Sequence, residues 1–409
     1  MLRDIIEATK LAPAYCAELI RVSPDQFNDW LTQKKPVPGF ALAELSSILG
    51  VSESNINSNN HLGEEPPAIW FKLRDSKLND EDREFVGFVR KLGYYLSQLQ
   101  QIQGRKTSYE SVFDQVRKSI DPTSHPAIQG RTAAKAFREA SGLSQGQSGI
   151  GEVVRSHLRA LGILLVESPL PHSDIDGCCF RVGLETSTTP CIFSNTFKSS
   201  WFRRNIVIAH ELCHAIFDLD NEQVALDYKP DSEYPFLDLD TSIDISEHRA
   251  QIFAEECLIP KTVLVTITNQ VGINWDQLTV DNVCLLIAKS HTEKSVILRA
   301  ALRGGLITKD QHELYLGFDC SQGIKNLTDR ALSTKEYLAK IGEDSPNWKA
   351  ENRKAKIGNR VLRLPVGYVN LVLNTLGERA ISESKAAEML MVDKDTFRER
   401  FQRLPVKGQ

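Results

Sequence analysis

Apolar residues recur at helical spacing along most of the chain, and only a short central stretch shifts to the compact runs of strands. At the start, Leu2, Ile5, Ile6 and Thr9 share one face of a first helix. Residues 17–22 end a second helix and turn, and Ser23 is placed to cap a third whose buried side is Phe27, Trp30 and Leu31. Another amphipathic helix is expected over 42–51, followed at 54–67 by a linker of Ser, Asn, Glu and Pro. Phe85, Phe88, Val89, Leu92, Tyr95, Leu96, Leu99 and Ile102 predict one long helix over 80–103. A break at 121–126 precedes helices over 131–140 and 151–161, and residues 163–167, 178–184 and 191–195 read as strands. After Pro260 the pattern is helical again, over 280–290 and over 293–303, where Gly304-Gly305 stops it. Residues 321–346 read as polar linker, and 368–376 and 384–401 as closing helices.

The stretch 205–218, NIVIAHELCHAIFD, adds chemistry to this pattern. His210 and His214 stand four apart, so a helix puts both imidazoles on one face, within reach of one divalent ion. Glu211 projects about a quarter turn away, where a carboxylate can take a proton from a water that the ion has acidified. Ile206, Val207, Ile208, Ala209, Leu212, Ala215, Ile216 and Phe217 surround these groups with apolar side chains. Burying such a cluster is costly unless a cation satisfies it.

A site of this kind takes a third protein ligand. The segment 246–260 supplies candidates: Ser246 is placed to cap a helix, Pro260 to end it, and Ala250, Phe253, Ala254, Cys257 and Leu258 form its apolar stripe. Glu247 falls on that stripe and so faces the core; His248, Glu255 and Glu256 are rival ligands. Gln251, one turn on, could hold Glu247 or accept the free N–H of a ligating histidine.

These two segments resemble the ImmA/IrrE-type metallopeptidases of the gluzincin group, in which an apolar H-E-L-x-H run is followed, after a variable loop, by E-x-x-A-x-x-F-A-x-x-L-L-x-P. Here the pattern is His210-Glu211-Leu212-Cys213-His214, then Glu247, Ala250, Phe253, Ala254, Leu258 and Pro260. Cys213 replaces the usual Gly, Gln251 the common Asn, and Cys257 a usual Leu. The resemblance implies that His210, His214 and Glu247 bind Zn²⁺, with Mn²⁺ or another divalent ion as the alternative, and that Glu211 is the general base of peptide hydrolysis. It also implies a specific protein substrate, a repressor or a cognate toxin or antitoxin partner, in stress response, mobile-element control or toxin–antitoxin regulation. An edge strand beside the metal helix would hold an extended substrate, and residues 191–195 are the expected edge. Tyr228 and Tyr234, in the long loop 219–245, are conceivable oxyanion donors.

The first fifty residues resemble an Xre-type helix-turn-helix domain, with Gln26 and Asn28 on the candidate reading helix and Lys34 and Lys35 as phosphate contacts. Its turn glycine is replaced by Arg21, and Asp25 and Asp29 lie on the face that would meet phosphates. Docking onto protein therefore competes evenly with DNA binding for this module. Residues 381–397 resemble a further helix-turn-helix-like module, preceded by the chain's most basic run, Lys349 to Arg363. The expected fold is α+β and mostly helical: a zincin-like core of a small sheet plus the H-E-x-x-H helix, flanked by helix-turn-helix-like modules. The corresponding division is 1–60 helix-turn-helix domain, 61–130 helical connector, 131–262 peptidase, 263–320 helical region and 321–409 linker with a C-terminal helical module.

The 409 residues carry a net charge of -4, which provides no global attraction to nucleic acid or anionic lipid. No apolar run approaches the roughly 20 residues of a membrane span, and no secretory signal is apparent, so the protein reads as cytoplasmic and without a membrane partner. Its 8 cysteines lack the dense spacing of a disulfide framework and read as reduced thiols. A reading of another class is a DNA-binding regulator or antitoxin in which the metal is structural or sensory. The presence of Glu211 argues against it, because a purely structural zinc site needs no such acid.

Overall fold

The computed structural model describes residues 2–51, 53, 56, 79–104, 108–143, 150–170, 173, 175–184, 187–197, 199–219, 225–228, 245–328 and 364–401. Two compact units emerge, and neither follows chain order. One comprises residues 1–106, 180–191 and 343–409; the other comprises 107–179 and 192–342.

In the first unit, helices α1 (Leu2–Thr9), α2 (Pro13–Leu19), α3 (Pro24–Leu31) and α4 (Gly39–Leu49) close over Ile5, Cys16, Phe27, Leu45 and Ile48. The expected cap at Ser23 is a full capping box: the Gln26 N–H donates to Ser23 Oγ (3.2 Å), and the Ser23 N–H donates to Gln26 Oε1 (3.2 Å). Arg21, where a glycine is usual, adopts φ +59° between α2 and α3. Helix α5 (Asp80–Gln103) has the bounds its periodicity predicts, with Asn79 and Asp82 forming a second capping box.

The C-terminal helices of this unit carry a relation that the sequence reading passed over. Ala17, Glu18, Val22, Asp25 and Phe27 recur in the same order and spacing as Ala387, Glu388, Val392, Asp395 and Phe397. The left-handed residue Arg21 is matched by Met391 at φ +56°. Residues 383–401 thus repeat the arrangement of α2 and α3, and both copies dock on α5 through the helix before the turn. Tyr15 Oη donates to Glu84 Oε2 (2.9 Å) in one, and Tyr95 Oη donates to Glu388 Oε1 (2.8 Å) in the other.

The second unit begins with α6 (Tyr109–Ser119), absent from the sequence reading, and α7 (Pro126–Ala140), longer than expected at its start. Then come α8 (Ile150–Leu161), strands β1 (Leu164–Ser168), β2 (Ile175–Leu184) and β3 (Ser187–Asn195), of which residues 180–191 group with the first unit, and α9 (Trp201–Phe217). Strand β4 (Ala225–Tyr228) and α10 (Ile245–Leu258) follow. The chain continues through α11 (Lys261–Val271), α12 (Val280–Ser290), α13 (Lys294–Arg303), α14 (Lys309–Leu316) and α15 (Ser321–Leu327). Residues 321–327 are therefore helix rather than linker, and Ser246 sits inside the first turn of α10 rather than at its cap. Residues 54–67 apart from Ile56, Tyr234 and the basic run 349–363 lie outside the described residues, as does the side chain of Tyr228.

The strand order is β1-β3-β2-β4, which corrects the expectation that 191–195 form an open edge. Cys191, Ile192 and Phe193 are wholly buried, as suits a strand flanked on both sides. β4 pairs antiparallel with β2, opposing Asp227 to Gly177 and Ala225 to Cys179. One core runs through the helices of this unit, with Phe137, Phe253, Leu212, Val263 and Ile297 at its centre. Among the described residues no helix is long and apolar enough to cross a membrane.

Helices α4 and α5 cross where Gly50 meets Gly87. A Cβ on Gly87 would collide with the Ile48 carbonyl and stand 3.1 Å from the Gly50 nitrogen, atoms that are backbone and cannot swing aside. Gly87→Ala is expected to lower stability by about 1–3 kcal/mol through overpacking. Urea unfolding followed by circular dichroism checks this; an unchanged midpoint would show that the crossing tolerates a side chain.

Candidate metal centre

Helix α9, which carries His210 and His214, owes its position to its N-terminus, its first half and one flank. Ser200 caps α9, its Oγ accepting from the Arg203 N–H (3.2 Å). Asn205, fully buried, donates to the His291 carbonyl (2.7 Å) and accepts from the guanidinium of Arg155. Arg155 also pairs with Glu167 at the end of β1 (2.8 Å). Against the sheet, the close approach depends on Gly177. A Cβ there would overlap Val207 and come within 3.2 Å of Glu211 Cγ.

On this helix His210 and His214 are both buried, with their Nε2 atoms 3.0 Å apart. Glu247 on α10 reaches both: Oε2 lies 3.1 Å from His210 Nε2, and Oε1 lies 3.3 Å from His214 Nε2. Four ligands held at about 2.0–2.1 Å around a tetrahedral ion stand about 3.3 Å from one another. The two nitrogens and the carboxylate that spans them, one oxygen toward each, lie at separations close to that value. Nitrogen and carboxylate donors also suit a borderline divalent ion, so the residues fit the expected metal.

The alternatives to Glu247 have other partners. Glu255 is fully buried and bound by Arg299 Nε (2.8 Å) and by Arg303. Glu256 lies 3.6 Å from Arg303 Nη2, and the His248 ring packs edge-on to His125 at 5.8 Å. Gln251 neither holds Glu247 nor meets a histidine, a correction to the sequence expectation. Its Nε2 donates to Glu255 Oε1 (2.7 Å), because that wholly buried carboxylate lies one turn further along the same face.

The group that does hold a ligand went unnoticed in the sequence. Asp218 Oδ2 lies 2.7 Å from His214 Nδ1, and its other oxygen accepts from Arg249 Nη2 (2.6 Å). The signal was available, since 210, 214 and 218 continue one helical stripe. Glu211 is fully buried against β2, beside Gly177 and near the thiol of Cys179. Burial, then the Glu211 carboxylate, push that thiol well above its ordinary range. Cys213 is likewise raised by burial, which keeps it an inert thiol.

The residues proposed for nucleic acid do not form a basic surface. Gln26 is engaged in the capping box, Asn28 and Lys34 are exposed, and Lys35 pairs with Asp29 (2.8 Å). That pairing neutralises one of the two lysines on the module's candidate phosphate-binding side.

Residues 158–272 match the family of IrrE N-terminal-like domains, Peptidase_M78. This span runs from the end of α8 through both ligand helices to the end of α11. No curated protein and no solved structure matches the chain.

The metal-free cluster has a pH signature. Burial opposes a charge on His214, but the hydrogen bonds that the imidazolium donates to Asp218 and Glu247 outweigh it and lift the imidazole to about 10. Burial also opposes the charge on Glu247, yet the two imidazoles hold that carboxyl below its usual range. A histidine raised in the folded state contributes stability that is complete below its unfolded value of about 6.5, and this stability is lost as pH climbs toward the folded value. The melting temperature of the metal-stripped protein should therefore fall between pH 7 and 10, with a flatter slope in His214→Gln. Parallel slopes for the two proteins would contradict this account.

Proposed function

We propose, from the match of residues 158–272 to IrrE N-terminal-like domains and the resemblance of the two motifs to ImmA/IrrE-type metallopeptidases, that this chain is a zinc-dependent endopeptidase cutting a bond in a protein partner. The observation that carries the reading is the triangle of His210, His214 and Glu247 with Glu211 buried next to it. His210 and His214 offer Nε2 and Glu247 its carboxylate to hold the ion. The ion, when bound, polarises a peptide carbonyl and acidifies water. Glu211 receives the proton of the attacking water and passes it to the leaving amine. Asp218, engaged on the Nδ1 side of His214, leaves Nε2 as that ring's donor. Val207, Ile208 and Leu212 wall the helix from bulk solvent, so charges that develop there interact strongly.

The partner in this reading is a transcriptional repressor or a cognate toxin or antitoxin, cleaved in stress response or mobile-element control, as the resemblance of the two motifs implies. A cytoplasmic setting is supported by eight cysteines that are all free. A second reading, a DNA-binding regulator or antitoxin with a structural or sensory metal, draws on the repeated helix–turn–helix with its matched left-handed turns at Arg21 and Met391. The acids Asp25 and Asp29 on the first copy weigh against it.

Glu211→Gln separates the two. The variant should keep one equivalent of metal and lose peptide hydrolysis by roughly 10²–10⁴-fold, the usual contribution of a positioned base. Retained biological output at full metal content would rule out proteolysis as the function.

A further inference from the structure

Resting on the reading of His210, His214 and Glu247 as a metal site, the geometry points to Arg249 as a positioning residue. Through Asp218 it fixes the ring of His214 and holds the two ligand-bearing helices in register. Arg249 lies two residues beyond Glu247 on α10, about 200° around the helix, so it cannot share the ligand position. Its guanidinium reaches across to α9 instead. Nη2 donates to Asp218 Oδ1 at 2.6 Å, and the Cζ atom sits 4.6 Å from the centroid of Phe217. The group also lies within hydrogen-bonding reach of the Cys213 thiol, and Nη1 meets Gln129 Oε1 of α7 at 3.5 Å.

Asp218 is thereby used on both sides. One oxygen faces Arg249 and the other faces His214 Nδ1 at 2.7 Å. A carboxylate with one oxygen committed to a guanidinium has little freedom left for the second. The imidazole is held with Nδ1 toward Asp218, and Nε2 then points to His210 and Glu247. The charges also balance. Asp218 is three-quarters buried and Arg249 more so, with side-chain exposures of 25% and 12%, so the pair offsets what either group alone would cost. Because Arg249 and Glu247 share α10 while Asp218 and His214 belong to the α9 stripe, this contact sets the spacing of the ligand atoms themselves.

The test uses the full-length chain, with Zn²⁺ affinity measured by chelator competition and the visible spectrum of the Co²⁺-loaded form as a second readout. Arg249→Met and Asp218→Asn should each weaken Zn²⁺ binding by roughly 10- to 100-fold, the usual effect of losing a partner of a metal-bound histidine. The double variant should be no weaker than the poorer single one, because both act along one path. The two singles should alter the Co²⁺ spectrum alike, and Arg249→Lys should recover part of the loss. Multiplying effects in the double variant, or wild-type affinity in Arg249→Met, would overturn the inference. Should Arg249→Met not fold, Arg249→Gln enters the same cycle. His210→Ala serves as the control: if it also binds metal normally, the metal-site reading itself fails, whereas loss of metal there beside an unaffected Arg249→Met rejects only the role of Arg249.

Discussion

Two imidazoles and a carboxylate, brought within hydrogen-bonding distance of one another inside an apolar helix pair, are the constraint to which the second unit is built. Donor atoms this close are costly to bury without a proton or a cation among them, and they separate if either helix shifts. The surrounding contacts oppose such a shift. Gly177 lets α9 lie on β2, Asn205 ties its first half to Arg155 and the His291 carbonyl, and Arg138 Nη1 donates to the Cys257 carbonyl at the end of α10 (2.7 Å). Polar groups are thus used where helix position matters, and the intervening surfaces are closed by Phe137, Phe253 and Leu212.

The first unit follows a different rule. Its two copies of one helix–turn–helix use the same helix to dock on α5, which leaves the helix after each turn with exposed positions: Asp25, Gln26 and Asn28 in one copy, and Lys394, Asp395 and Arg398 in the other. The first set carries one acid and no base, and in the second Arg398 is paired with Glu383 (2.6 Å), which leaves Lys394 balanced by Asp395. Two helices joined through a left-handed residue are present twice, while a concentration of positive charge that would draw the second helix to phosphate is not seen on the described residues.

Local pattern made much of this legible. The facing of His210, His214 and Glu247, the bounds of α5 and the cap at Ser23 all follow from periodicity and capping chemistry, which act over a few residues. Features decided by distant partners did not. Strand order depends on which edges meet, so 191–195 looked like an edge and proved interior. Gln251 looked available to Glu247 because nothing near it in sequence shows that Arg299 and Arg303 fix Glu255 alongside. Asp218 and the repeat at 387–397 were readable but hidden by expectation: the first continues the histidine stripe past the motif, and the second substitutes Met391 for Arg21, so no glycine marks either turn.

Four glutamates on the two ligand helices show how environment, rather than residue type, divides the labour. Glu255 is wholly buried, but two arginines commit its charge, so it serves as an anchor. Glu256 is pushed up by burial and only partly offset by Arg303, at the margin of the same cluster. Burial opposes the charge on Glu247, but two imidazoles draw its carboxyl below the usual range, and an ionised carboxylate is the form that a metal takes. Glu211 alone is buried beside the ligands with a weak thiol donor, Cys179, as its close neighbour on the sheet. Its carboxylate is therefore buried next to the His210–His214–Glu247 cluster without being one of its members, and burial of that kind is what tunes an acid for proton transfer.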